Sequence, residues 1–285
     1  MTQNRSPLQN FWRNLVFLVG DIHSSDGFPW FTWAKNEVLT RREEIQEALP
    51  LIRFGDVGLH RLAGYASNEF IPGFMIHAWV HTDDGLPGKI VEAVSEGVLY
   101  QSPIYPMQAD YTIILRPTGV SVLERKGACL KAKRIVGQEY DVKFKFDIEH
   151  ELKYFHEGDK QEATKNLLAC QHQLQSYHPA FTCTEVAAYA WWHKEGHLGI
   201  ERVKTRWGGD VILADTFLNP AWKIVWMSNS VTPEAAASLG MHGPGLKMIE
   251  QYRNNHPVKK FDPLECPLPP EDQRSFLKTS VTLRR

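Results

Sequence analysis

The residue types able to do covalent chemistry gather in two stretches of this chain. In "YHPAFTCTEVAAYAWW" (177–192), Thr182 and Glu185 have the Ser/Thr-x-x-Glu spacing of a capping box. That spacing makes Thr182 the N-cap of a helix, Cys183 its first residue and Glu185 its third. A thiol in that place faces unpaired backbone N–H groups and the positive end of the helix dipole. Both favour the thiolate, the nucleophilic form. A lone cysteine on an Ala-rich helix also reads as a small buried apolar residue, so the chemistry depends on a base nearby.

The second stretch, "IPGFMIHAWVHTDDGLPGKIVEAVSEGV" (71–98), offers one. Side chains two apart on a strand share a face, so His77, Trp79 and His81 point one way and Ala78 and Val80 the other. The "DDGLPG" turn returns the chain as a second strand carrying Glu92 between Val91 and Ala93. A histidine and a carboxylate on hairpin partners can meet across the ladder. The carboxylate then fixes the ring tautomer and leaves the other nitrogen for a thiol. Two other readings stand beside this one: a half-buried histidine with a polar partner, and a zinc site of His77, His81 and Glu92, for which the spacing supplies no further ligand.

A third motif points elsewhere. "LVFLVGDIHSSDG" (15–27) ends an apolar run in Asp-x-His, as metallophosphoesterases do, and Asp56 follows at a plausible distance for their second motif. No Gly-Asn-His-Glu/Asp stretch follows, and the Asn-His of "RNNHPV" (253–258) lacks both the glycine and the acid. Asp21 and His23 are therefore expected in a turn after a short apolar segment, and a metallophosphoesterase is the less favoured reading.

The elements that must position these residues follow from patterning. "NEVLTRREEIQEALPLI" has the apolar spacing of an amphipathic helix ended by Pro50. From Arg53 to Pro117 short β-type runs alternate with turn signals and predict a curled antiparallel sheet. Residues 147–177 read as helical and highly charged, and 182–196 as a helix closed near Gly196. "AWKIVWMS" reads as a strand, and two helices follow Ser228, one opened by Thr232-Pro233-Glu234. The expected organisation is an N-terminal extension (1–50), a central domain (51–228) and a helical and Pro-rich tail (229–285).

With 43 % hydrophobic and 23 % charged residues in 285, the chain can bury a sizeable core. A formal charge of −1 disfavours nucleic acid as a partner. The four cysteines (Cys129, Cys170, Cys183, Cys266) have neither zinc-ribbon nor disulfide-scaffold spacing and read as free thiols. Leu15 to Gly20 is far shorter than the roughly 18 apolar residues of a membrane span, and no cleavage site clearly follows it. The expectation is a cytoplasmic protein without a membrane span, cofactor or resident metal.

In order along the chain, "FGDVGLHR", "IPGFMIHAWV", "IVEAVSEGV", "TIILRP", "EYDVKFKF" and "FTCTEVAAYAW" resemble the circularly permuted papain-like hydrolases of the NlpC superfamily, in the YiiX/YebB-like branch. The resemblance runs from about residue 53 to 228 and includes "DVILADTFLNPAWKIVWMS". It implies an α+β, permuted papain-like fold with an antiparallel sheet packed against helices. It implies Cys183 as nucleophile, His77 as general base and Glu92 as orienting group. Tyr140 becomes the candidate hydroxyl beside the oxyanion, with the Cys183 N–H as the other donor. Asp141 is a further substrate-site candidate and the next choice for the third polar residue. The chain departs from the family pattern at Gly58, Ile76 and Thr184.

The implied activity is a cysteine hydrolase or acyltransferase acting on an amide, ester or thioester, with cell-wall peptides or lipid acyl groups as substrate classes. The alternative is a binding or structural module on the same fold. It would hold a protein partner through the N-terminal aromatics (Phe28, Trp30, Phe31, Trp33) or residues 147–177.

Overall fold

The computed structural model describes residues 23–24, 31–32, 38–65, 68, 71–83, 88–141, 180–192, 198–204 and 210–259. Residues 1–255 form one compact unit and 256–285 a second. The charged segment 147–177, Cys170, Cys266, Gly196, Asp21, the aromatics Phe28, Trp30 and Trp33 and the Pro-rich tail lie outside the described residues.

A six-stranded antiparallel sheet carries the first unit. Its strands are β3 (Val57–Arg61), β4 (His77–His81), β5 (Ile90–Val94), β6 (Gly97–Gln101), β7 (Tyr111–Pro117) and β12 (Trp222–Met227), in the spatial order β12-β7-β3-β4-β5-β6. Each β-type run between Arg53 and Pro117 became a strand, as did "AWKIVWMS". Strand alternation divides the core into two layers. Val57, Leu59, Ala78, Val80, Val91, Ala93, Ile113 and Leu115 point to one face, against the helix Cys183–Trp191 (α4) and the helix Val122–Arg134 (α3). Trp79, Ile90, Ile114 and Trp226 point to the other, against Ile45 and Ala48 of the helix Arg42–Ala48 (α1) and against Ile52. The architecture is α+β, an antiparallel sheet packed against helices.

Gly58 is required by its neighbour. It pairs with Trp79 across the β3–β4 ladder, and a Cβ on Gly58 would stand 2.0 Å from the Trp79 ring. Any larger side chain at this departure from the family pattern is excluded by the indole that fills its place.

α1 is followed by a 3-10 turn at Leu49–Leu51, which contains Pro50. The buried Glu44 joins α1 to the end of β12: its Oε2 accepts the Arg41 N–H at 2.9 Å and its Oε1 the Asn229 N–H at 2.6 Å. Beyond β12, helices α5 (Pro233–Ser238) and α6 (Gly243–Asn255) place Val231, Ala236, Met241 and Ile249 in the same core as α4.

Two local expectations differ from the structure. His23 and Ser24 form a short strand, β1, paired with β2 (Phe31–Thr32), so the His23 backbone is in a ladder and not in a turn. α3, which hydrophobic periodicity does not outline, is a thirteen-residue helix opened by a Ser121–Glu124 capping box. Among the described residues, no helix is long and apolar enough to cross a membrane.

Candidate active site

Local chain geometry sets the nucleophile first. Thr182 is the N-cap of α4: its Oγ1 accepts the Glu185 N–H at 3.4 Å, and Glu185 Oε2 accepts the Thr182 N–H at 2.6 Å. Cys183 is the first helical residue, as its spacing predicts. All nine residues of α4 are buried, which suits a helix covered on several sides by the sheet, by α3 and by the β11 (Asp210–Ile212) segment. A short parallel pair holds the approach: β8 (Glu139–Tyr140) lies beside β9 (Ala180–Phe181), with Tyr140 opposite Phe181.

The sulfur rests on the edge of β4. Cys183 Sγ donates toward the Ile76 carbonyl at 3.8 Å, and the backbone N–H groups of Ala78 and Thr184 donate to the sulfur. Ile76 and Ala78 flank His77, and groups two residues apart face the same strand edge. The β4–β5 ladder is registered at Val80↔Val91 and His81↔Ile90, one strand turn beyond His77. The thiol therefore occupies edge positions of β4 next to the end of that ladder.

His77 Nε2 lies 3.0 Å from Glu92 Oε2, a diagonal contact between β4 and β5 on the sheet face they share. Glu92 is buried and the His77 side chain is 19 % exposed, enough for a reacting group to approach. With Nε2 taken by the carboxylate, Nδ1 is the ring nitrogen left for the thiol.

The charges of this pair support one another. For Cys183, burial pushes the thiol up, but the His77 charge and hydrogen bond and the Ala78 and Thr184 amides outweigh it, and the net shift is downward. For His77, burial works against the cation, yet the Cys183 thiolate and Glu92 raise it to about 10. Each partner's charge thus favours the other's, the thiolate the imidazolium and the imidazolium the thiolate.

The remaining sequence candidates gather around this pair. Burial, then the charges of Cys183, Glu185 and Asp141, push the Tyr140 phenol well above its ordinary value, so its hydroxyl keeps its proton and can donate. Asp141 is buried, and its N–H donates to the Phe181 carbonyl at 3.2 Å. Burial, together with the Asp141 charge and against the Thr182 amide, raises Glu185 to about 8. At neutral pH this carboxyl is mostly uncharged and places little negative charge beside the thiolate. His81 stays apart: it is buried, its carbonyl accepts from Cys129 Sγ at 3.5 Å, and among the described residues no three His, Cys, Asp or Glu side chains are grouped to hold a metal ion.

Two residues near the site carry no local sequence signal that singles them out. Asp215 accepts the N–H groups of Phe74 and Met75 at 2.6 and 2.7 Å, which fixes the loop that delivers His77. A Cβ at Gly73, where φ is +112°, would stand 2.6 Å from Asp215 Oδ2, so glycine suits both the turn and the contact. His60 lies opposite His77 on β3, with ring centroids 4.5 Å apart.

No protein-family model matches this chain, and no curated protein matches it. Among solved structures, the crystal structure of metalloprotein yiiX from Escherichia coli O157:H7, DUF1105, is similar at 13 % identity, covering 60 % of this chain and 95 % of that one, with a TM-score of 0.43. At that level of likeness no metal, residue role or activity is carried across.

Proposed function

We propose that this protein is a cysteine hydrolase or acyltransferase on a permuted papain-like fold, with Cys183 as nucleophile, His77 as general acid–base and Glu92 as its orienting partner. One observation carries the reading: a thiol on a helix N-terminus whose charge is coupled to a histidine held at 3.0 Å by a buried carboxylate. In chain order the base and its partner precede the nucleophile, in keeping with the permuted arrangement the sequence resembles.

The chemistry follows from the charge states. The Cys183 thiolate attacks the carbonyl carbon of an amide, ester or thioester, and the C=O electron pair moves to oxygen. The Cys183 N–H, one of the first-turn donors without an intrahelical acceptor, and the protonated Tyr140 are the groups available to that oxygen. The tetrahedral species collapses, the bond to the leaving group breaks, and His77 gives that group its proton. Water or another acceptor then surrenders a proton to His77 and attacks the acyl-enzyme, releasing the thiolate. Glu92 holds the imidazolium ring in place throughout. Cell-wall peptides and lipid acyl groups are the substrate classes that the sequence resemblance supports.

Thiol reactivity separates this reading from a binding module. Iodoacetamide near neutral pH is expected to alkylate Cys183 well before Cys129, Cys170 and Cys266, and His77→Ala is expected to slow that labelling. Hydrolysis of an activated acyl substrate is expected to fall as pH passes about 10, where His77 loses the proton it must donate. Labelling of Cys183 no faster than the other three, or unaffected by His77→Ala, overturns the reading.

A further inference from the structure

His77 is held on three sides. Glu92 takes Nε2, the Cys183 thiol acts on the ring by charge, and the His60 ring lies against it with centroids 4.5 Å apart and planes 35° from parallel. The contact is built into the sheet, because His60 and His77 are cross-strand partners in the β3–β4 ladder. Thr112 of β7 is the partner of His60 on its other side, so Thr112, His60 and His77 form a row across three strands.

The hydrogen bonding of the half-buried His60 is incomplete. Its Nδ1 is buried and has no hydrogen-bond partner among the described residues, and the same holds for Thr112 Oγ1 beside it. Leaving a buried polar nitrogen unpaired is destabilising. A ring kept there for its hydrogen bonds would use that nitrogen. A ring kept for its flat face need not.

We propose that His60 is a positioning residue for the acyl-transfer site: its ring packs on His77 and holds the imidazole in the one orientation that presents Nε2 to Glu92 and Nδ1 to Cys183. The inference rests on the Cys183–His77 reading above and adds to it the device that keeps the base aimed. An imidazole between two partners on opposite edges can still swing about χ1 and χ2. A planar neighbour against its face removes that freedom.

The charge of His60 suits this role. Burial and the adjacent His77 charge hold His60 well below its ordinary value of 6.5, so the ring is neutral near pH 7. A neutral π face is attracted to the imidazolium, whereas a second cation would repel it. Among the described residues, the charged or titratable groups acting on the pair are His77 itself from β4, Glu92 from β5 and Cys183 from α4. β7 presents the uncharged Thr112 on that face, while strand alternation sends Arg61 and Tyr111 to the other.

The experiment measures the second-order rate of Cys183 alkylation by iodoacetamide against pH in the full chain, for wild type, His60→Phe and His60→Leu. Phe keeps a planar ring without nitrogens, and Leu fills similar space without one. His60→Phe is expected to label within about twofold of wild type. His60→Leu is expected to label about tenfold more slowly at pH 7, with the half-maximal pH moved up by about one unit, the shift equivalent to tenfold in thiolate population. Circular dichroism melts verify that both variants fold. If His60→Leu labels like wild type, or His60→Phe is as slow as His60→Leu, the positioning role is overturned. If instead wild-type Cys183 is unreactive or indifferent to His77→Ala, it is the proposed function that fails.

Discussion

Two clusters of buried charge stand at opposite ends of the same sheet, and they handle charge in opposite ways. At one end Asp56, fully buried just before β3, is held by Arg116 of β7 through Nε at 2.8 Å and Nη2 at 2.7 Å, by the Arg53 N–H at 2.7 Å and by Arg125 of α3 at 3.7 Å. The hydrogen bond to Asp56 raises Arg116 further above its already high value. Neither guanidinium can give up its proton, so the cations of this cluster are fixed. At the other end Cys183, His77 and Glu92 meet, and the proton between sulfur and imidazole can reside on either. The first arrangement ties α3, β3 and β7 together. The second is suited to moving a proton, because every charge in it depends on where another proton sits.

Substitutions that exchange the consequences of the two clusters test this contrast most severely. Cys183→Ser is expected to lower hydrolysis by at least about 10³-fold while leaving the melting temperature near that of wild type. Asp56→Ala is expected to do the reverse. It leaves two guanidinium groups without their carboxylate and costs about 3–5 kcal/mol in denaturant unfolding, yet Cys183 alkylation under folding conditions stays near wild type. Loss of alkylation in folded Asp56→Ala would show that the two ends are coupled through β3.

Glu92→Gln probes the reactive end more finely. The amide can still accept the ring N–H but cannot stabilise the imidazolium as a charge does. Turnover is expected to fall within the roughly 10²–10⁴-fold that acid–base catalysis contributes, with the fold retained. Unchanged turnover moves the third role to Asp141.

The smallest effects concern the helix cap. Thr182→Ala is expected to cost about 0.5–2 kcal/mol and to raise the Cys183 pKa, as followed by thiolate absorbance in variants without the other cysteines. Glu185 adds a pH signature. Its folded value of about 8 lies above its ordinary 4.5, so the folded protein holds a proton that the unfolded chain releases between those limits. Its contribution to stability is complete below about 4.5 and is lost as pH rises through about 8, with a slope of at most about 1.4 kcal/mol per pH unit. Glu185→Gln is expected to flatten that slope, and an unchanged slope would place the titration elsewhere.

The sequence by itself determined what short-range physics controls. A capping box spans four residues and a strand alternates every two, so the start of α4, the position of Cys183 in its first turn and the shared face of His77 and Glu92 were legible. α3 has the same capping spacing at Ser121 and Glu124 but little else in the sequence to mark it. Its large apolar residues Val122, Leu123 and Leu130 face solvent while Ala128, Cys129 and Ala132 are buried, so hydrophobic periodicity gives no outline of it. Gly58 read as a departure from pattern until Trp79 was seen to fill its space. The tertiary structure alone decided the rest. Inserting β3 between β7 and β4 sets His60 against His77 and Asp56 against Arg116, and Asp215 reaches the Phe74–Met75 backbone from about 140 residues away. Such pairings depend on which strands become neighbours in space, a choice made by the whole core at once, and no local spacing in the chain encodes it.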